Sequence, residues 1–157
     1  MYGVQGIRSG LSRQYSTTAQ KYNDISIVFV KDVLALYSFI EVAGEVLAIL
    51  DTINEGIEYI KANSKMANDL DGCYTLICDV DSALKSIIIS SVSLMKDDIP
   101  INDIQELYTK VFEDLAAIHR DFNKNNRFEE KMLDDLRIDY SKLHDEIRRC
   151  LEPYIQC

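Results

Sequence analysis

Histidine and cysteine, the side chains that most often act as nucleophiles, bases or metal ligands, are few in this chain. Neither His119 nor His144 has a glutamate three residues before it, so the Glu-x-x-His pattern of di-iron helical bundles is absent. Both histidines lie beside basic residues near the predicted ends of helices, where the helix dipole favours a positive side chain. We therefore interpret both as structural residues.

The four cysteines are spaced C-x4-C and C-x6-C, and zinc sites usually place two cysteines at C-x2-C. No histidine follows them at a ligand interval, and the chain does not open on a secretory apolar segment. We predict reduced thiols, with Cys73 and Cys150 packed as small hydrophobic side chains.

The specific catalytic and nucleotide-binding motifs, such as G-x-G-x-x-G, G-x-x-x-x-G-K-[ST], H-E-x-x-H and G-x-S-x-G, are also missing. Asp69 and Asp71 precede Gly72, but no glutamate follows at the twelfth position of a calcium loop. A helix start explains these acids. The sequence predicts no catalytic residue, no cofactor, no metal and no small-molecule substrate, so we expect that the protein is not an enzyme.

The charge of the chain is uneven. The net charge is −9, which disfavours nucleic acid as a partner because phosphate binding depends on lysine and arginine. Residues 1–22 nevertheless hold Arg8, Arg13 and Lys21 and no acid. We predict a basic N-terminal arm over residues 1–23 and a helical domain over residues 24–157.

The arm has two interpretations. Its composition is typical of a targeting peptide, and residues 13–16, which include Tyr15, resemble the processing site of mitochondrial presequences. The other interpretation is a flexible basic arm on an intracellular, cytoplasmic protein, since three glycines weaken any helix there. We favour the second, with a mitochondrial location as the alternative.

Apolar residues spaced by three and four predict four helices. The first helix begins at Asp24 as its N-cap and ends near Asn63, unless it breaks at Gly44 or Gly56 to give five helices. As the most apolar helix, it should be the most enclosed. Its longest uncharged run, residues 33–40, is too short to cross a membrane. Its apolar seam is Phe29, Val33, Leu36, Ile40, Ala43, Leu47 and Leu50.

The other three helices each carry a seam of the same spacing. Asn102 and Asn126 are predicted N-caps, residues 96–100 a stop, and the last helix should end near Cys150, before Pro153. These features predict an all-α fold, an antiparallel four-helix bundle with heptad-like seams. The seams are Leu70, Cys73, Ile77, Val80, Leu84, Ile87, Ser91 and Leu94; Ile104, Tyr108, Val111, Leu115, Ile118 and Phe122; and Leu136, Tyr140, Leu143, Ile147, Cys150 and Tyr154.

The sequence favours a non-catalytic protein that acts through protein–protein interaction or self-association, as an assembly subunit, adaptor or regulator. The alternative is a membrane-active bundle that docks on anionic lipid through residues 1–22 and then releases its apolar first helix. Residues 42–47 are loosely similar to cell-death and pore-forming bundles, which work on that principle. The candidate interaction residues are Arg8, Arg13, Tyr15 and Lys21 on the arm, and Asp134, Asp135 and Asp139 on an acidic helix face.

Overall fold

The computed structural model describes the backbone of residues 3–94 and 101–156. The described residues form four α-helices, and no strand is found among them. Side chains are described from residue 27 onwards except at 29, 37, 91–94 and 101–102, and before that only at Gln20 and Asp24. The helices are α1, Gly3–Asn63; α2, Leu70–Leu94; α3, Ile101–Asn125; and α4, Glu130–Ile155, with a short 3-10 turn, Ala67–Asp69, before α2.

The chain divides into two compact units, residues 1–39 and residues 40–157, which we call the N-terminal and C-terminal units. The described part of the N-terminal unit is helical throughout. The C-terminal unit holds the rest of α1 and the other three helices. The all-α class predicted from the spacing of apolar residues is therefore confirmed. The predicted domain boundary after residue 23 stays a prediction.

Helix α1 differs from its prediction in where it begins and in its continuity. It begins at Gly3, so Asp24 is an interior residue, hydrogen-bonded to Gln20 over 3.5 Å, and does not cap the helix. The helix also continues without interruption through Gly44 and Gly56, and the predicted break is absent. A glycine in a helix interior costs up to about 1 kcal/mol relative to alanine, which a long helix tolerates without a kink.

The predicted seams of α2, α3 and α4 form the core of the C-terminal unit. Every predicted seam residue of α3 is buried, from Ile104 to Phe122. On α2 the seam is buried from Cys73 to Ile87, whereas Leu70 is half-buried and the side chains of residues 91 and 94 lie outside the described set. Apolar residues at three- and four-residue spacing share one helix face, and that face is the one packed inward.

The seam prediction fails at the end of α4. Leu151 is fully buried, while Cys150 is half-buried and Tyr154 is exposed. Helix α4 also continues to Ile155 with Pro153 inside it, instead of ending near Cys150. The straight α-helix has 3.6 residues per turn, so a strict seven-residue seam drifts around the helix, and the inward position moves by one residue.

The predicted N-cap of the fourth helix, Asn126, does not cap that helix. Asn126 lies just after α3 with a positive φ of 50°, and its backbone N–H donates to the carbonyl of Phe122 over 2.7 Å. It therefore terminates α3, in the left-handed conformation that asparagine tolerates better than most residues. The residue that precedes α4 is Glu129, which makes no side-chain capping bond. The predicted stop at residues 96–100 lies outside the described residues.

Helices α1 and α4 are joined by ion pairs along their length. Arg137 pairs with Glu58 over 3.4 Å, and Glu130 pairs over 3.0 Å with Lys65, which follows the end of α1 by two residues. Asp51 accepts from Arg148 over 2.6 Å. Along α4 from Glu130 to Arg148, the paired residues run backwards along the chain from Lys65 to Asp51. These bridges are exposed to solvent and each contributes little stability, but together they favour one register of the two helices.

A buried hydrogen bond lies in the middle of the same contact. The side chain of Tyr140 is fully buried, and its hydroxyl donates to the backbone carbonyl of Leu50 over 2.5 Å. Burial also raises the pKa of Tyr140 far above its usual range, so the phenol stays neutral and remains a donor. This bond joins the centre of α4 to the centre of the α1 segment in the C-terminal unit.

We expect Tyr140→Phe to lower the free energy of unfolding by about 0.5–1.5 kcal/mol, because the ring stays in the core but the hydroxyl hydrogen bond is lost. Urea denaturation followed by circular dichroism measures this difference. Ile138→Ala, at an exposed residue of the same helix, is the control and should change stability by at most about 0.5 kcal/mol. Equal effects of the two substitutions would show that the buried hydroxyl adds nothing.

Candidate interaction surface

A group of exposed apolar side chains lies on α1, in the N-terminal unit. Five large residues between positions 27 and 36 are more than half exposed: Ile27 (53%), Val28 (58%), Val30 (51%), Leu34 (62%) and Leu36 (56%). We call this group the apolar belt. Monomeric soluble proteins seldom expose large contiguous apolar patches, and such patches often mark binding surfaces.

The belt surrounds the helix and is not confined to one face. Ile27, Val30 and Leu34 follow the three- and four-residue spacing of one stripe, whereas Val28 and Leu36 point to other sides of α1. The belt includes a predicted seam position, Leu36, and Val33 beside it is only half-buried. The prediction that the most apolar helix would be the most enclosed is therefore wrong for this part of α1.

The basic candidate residues lie on the same helix. The backbone of Arg8, Arg13, Tyr15 and Lys21 belongs to α1, but their side chains are outside the described set. Their role as interaction residues stays a prediction from the sequence.

The structure separates the acidic candidate residues into two groups. Asp134 forms an ion pair with Lys61 of α1, and this bond lowers the pKa of its carboxyl group. It thus takes part in the contact between α1 and α4, and its side chain is partly exposed. Asp139 is bonded to Lys142 on its own helix over 2.9 Å, and Asp135 is exposed. The predicted single acidic face is therefore divided between two sides of α4.

Asp135 and Asp139 lie close to a third carboxyl group, Asp114 of α3, which sequence reasoning missed. Asp114 is half-buried, and its pKa is raised from 3.8 to about 6, first by burial and then by the negative charges of Asp139 and Asp135. Only the packing of α3 against α4 brings these acids together, so no sequence spacing could have revealed the group.

This raised pKa predicts that Asp114 lowers stability as the pH increases. In the folded state the carboxyl group of Asp114 keeps its proton up to about pH 6, whereas in the unfolded chain it releases the proton near pH 4. The stability that the protonated carboxyl group contributes is therefore fully present below pH 4 and is lost as the pH rises toward 6. We expect Asp114→Asn to raise the melting temperature at pH 7 and to leave it nearly unchanged at pH 4. Thermal melts at both pH values test this.

Asp79→Asn, at an exposed acid of α2, is the control for the loss of one negative charge. If both variants shift the melting temperature equally at pH 7, the effect is due to net charge and not to the contact between α3 and α4.

The histidines and cysteines are engaged in packing. His119 Nδ1 lies 3.2 Å from the hydroxyl of Tyr74, and His144 Nε2 lies 2.8 Å from Asp51. His144 is in the middle of α4, so its hydrogen bond to Asp51 and not the helix end explains it. Cys73 is fully buried and Cys150 half-buried, and burial raises the pKa of both thiols, which disfavours the nucleophilic thiolate.

A second apolar feature lies in the C-terminal unit, where α1 packs beside α2. A groove of about 180 Å³ opens there to solvent. Ile49, at its edge, is 39% exposed, and Gly56 lies where α2 approaches: a Cβ on Gly56 would be 3.7 Å from the side chains of Leu76 and Val80. At Gly44, by contrast, no atom of the described residues lies within 4 Å of a Cβ built there. The groove residues are Ile49, Thr52, Ile53, Gly56, Leu76, Asp79, Val80 and Ala83.

Within the part of the chain that the structure describes, one helical segment, Val30–Asn63, is long and apolar enough to cross a membrane by length and composition. Its most apolar window has a mean hydropathy of 2.0 and is 18% buried. Charged residues interrupt the apolar run, but its mean hydropathy stays high. The prediction that this helix does not cross a membrane stays a prediction. The core helix of a soluble protein meets the same criterion, and this segment supplies core residues such as Leu50 and Ile57.

Among the residues with described side chains, no three histidine, cysteine, aspartate or glutamate residues are grouped so as to hold a metal ion. No family model, curated protein or solved structure matches the chain. The function must therefore be argued from the surfaces described above.

Proposed function

We propose that this is a non-catalytic helical-bundle protein that acts through protein–protein interaction, as an assembly subunit, adaptor or regulator. The observation that carries the proposal is the apolar belt of α1, five large side chains that are each more than half exposed. Covering such side chains stabilises a complex by about 25 cal/mol for each Å² removed from water. A protein partner, including a second copy of the chain, supplies that cover.

The architecture in this proposal is an antiparallel four-helix bundle. The order of the ion pairs between α1 and α4 supports it, because Lys61 pairs with Asp134 at one end and Asp51 pairs with Arg148 at the other. Helices joined by short connections pack in this way when each has one apolar face.

The non-catalytic part of the proposal is supported by the state of the reactive side chains. Burial disfavours the thiolates of Cys73 and Cys150, and the histidines are occupied by hydrogen bonds to Tyr74 and Asp51. The net charge of −9 disfavours nucleic acid as the partner. We place the protein inside the cell, with the cytoplasm favoured over the mitochondrion.

A photo-cross-linking residue placed at Leu34 tests the proposal. We expect Leu34 of the belt to give discrete cross-linked protein adducts in cells, because a bound partner would hold the side chain at short range. The matched control carries the photo-cross-linking residue at Ile89 of α2. Ile89 is an exposed aliphatic residue (75%), as Leu34 is, but it lies outside the belt. Gel shifts and mass spectrometry identify the adducts.

Two results would contradict the proposal. One is a set of adducts at Ile89 that equals the set at Leu34, which would indicate random collision. The other is the absence of protein adducts at Leu34 while lipid adducts form there, which would favour the second candidate function.

The second candidate is a membrane-active bundle, and two observations favour it. The segment Val30–Asn63 is apolar enough to span a membrane, and residues 1–22 carry three basic residues and no acid. Anionic lipid attracts basic residues near its surface, by about 1 kcal/mol for each lysine or arginine. An apolar belt that surrounds a helix also suits lipid, which contacts every side of a helix at once.

Co-sedimentation with phosphatidylserine vesicles tests this candidate. We expect a membrane-active protein to pellet at low salt, and the triple variant Arg8→Gln, Arg13→Gln, Lys21→Gln to lose most of that binding because the attraction of three charges is removed. The control variant Lys65→Gln, Lys110→Gln, Lys131→Gln removes the same charge from exposed residues of the C-terminal unit. Equal pelleting of the two variants would exclude docking through residues 1–22.

A further inference from the structure

The apolar surfaces of the described residues include two of different kinds. One is the apolar belt, a convex helix surface in the N-terminal unit, and the other is the concave groove beside α1 and α2 in the C-terminal unit. The groove is lined by small residues, Gly56 and Ala83, and by apolar side chains that include Ile53 and Val80. An amphipathic helix binds such a groove through side chains at i, i+3 and i+7.

The belt supplies a stripe with that spacing. Ile27, Val30 and Leu34 are separated by three and four residues, and all three are exposed. Lys31, exposed next to this stripe, has the opposite charge to Asp79 in the lining of the groove. A helix docked there would bury the stripe and bring opposite charges together at its margin.

The net charges of the two units also favour contact between the N-terminal unit of one copy and the C-terminal unit of another. Residues 1–39 contain four basic and two acidic residues, a net charge of +2. Residues 40–157 contain thirteen basic and twenty-four acidic residues, a net charge of −11. Two C-terminal units therefore repel each other, whereas the N-terminal unit of one copy is attracted to the C-terminal unit of another.

We propose that the protein self-associates head to tail, with the apolar belt of one copy bound in the groove between α1 and α2 of a second copy. This inference rests on the proposed function, since it names the partner that covers the belt. The two surfaces differ, so the interface is heterologous. Each pair of copies leaves one belt and one groove unused, and association continues until a ring closes or a chain grows.

Sedimentation velocity at several protein concentrations tests the proposal, using the full chain and two surface variants. The belt variant is Ile27→Gln, Val30→Gln, Leu34→Gln, in which glutamine keeps the helix propensity. The groove variant is Ile49→Gln, Thr52→Gln, at two exposed residues of the lining. The control variant, Ile89→Gln, Ile138→Gln, changes exposed apolar residues outside both surfaces. Circular dichroism and thermal melts verify that each variant is folded.

We expect the wild-type and control proteins to form larger species as concentration rises between about 1 and 100 µM. Each surface variant alone should associate at least about tenfold more weakly. A mixture of the two should form a one-to-one complex and nothing larger, because one variant retains a groove and the other retains a belt. This rescue distinguishes a heterologous interface from a symmetric one, in which mixing two defective surfaces restores nothing.

The alternative outcomes separate this inference from the proposed function. If the belt variant loses association but the groove variant does not, the belt is a contact surface with another occupant and only the inference fails. If the belt variant associates like the wild type and the cross-linking residue at Leu34 gives no protein adducts in cells, both the inference and the proposed function fail. A chain that stays monomeric at every concentration overturns head-to-tail association and leaves the belt to a different partner.

Discussion

Burial of one apolar seam from each helix is the constraint on which the C-terminal unit depends. The seams of α2, α3 and α4 and the segment of α1 from Ala43 to Ile60 supply most of its buried side chains. Tyr140 lies fully buried among them, and its hydroxyl reaches the carbonyl of Leu50 on α1. Because a buried hydroxyl without a partner is costly, this bond requires α1 and α4 to meet in one register.

Polar contacts at the margin of the core reinforce that register. Asp51 accepts from both His144 and Arg148, and these two hydrogen bonds lower the pKa of its carboxyl group. Its stabilising effect is therefore present above its usual pKa of 3.8 and is lost as the pH falls below it. Asp114 has the opposite behaviour, since its burial near Asp139 favours the protonated form. The two contacts of α4 thus respond to acid in opposite directions.

The apolar character of α1 has different consequences in the two units. In the C-terminal unit the apolar side chains of α1, such as Leu50 and Ile57, are buried by the other helices. In the N-terminal unit, side chains of the same kind, such as Leu34 and Leu36, are exposed. The exposed side chains are aliphatic and cannot take part in catalysis, but they gain stability when another molecule covers them. This is why the functional proposals concern binding and why the nature of the covering molecule is the central question.

The spacing of apolar residues by itself determined the helical class and most core positions of α2, α3 and α4, because this spacing identifies the inward face of a helix wherever it packs. It left open whether the first helix is broken, which the structure decided by carrying α1 through Gly44 and Gly56. It did not determine where α1 begins or which part of it is covered, since Leu36 and Leu50 belong to one apolar pattern and only packing separates them. The groove beside Gly56 and the approach of Asp114 to Asp139 were also decided by tertiary structure. Each joins residues of different helices, and the distance between them depends on how those helices pack.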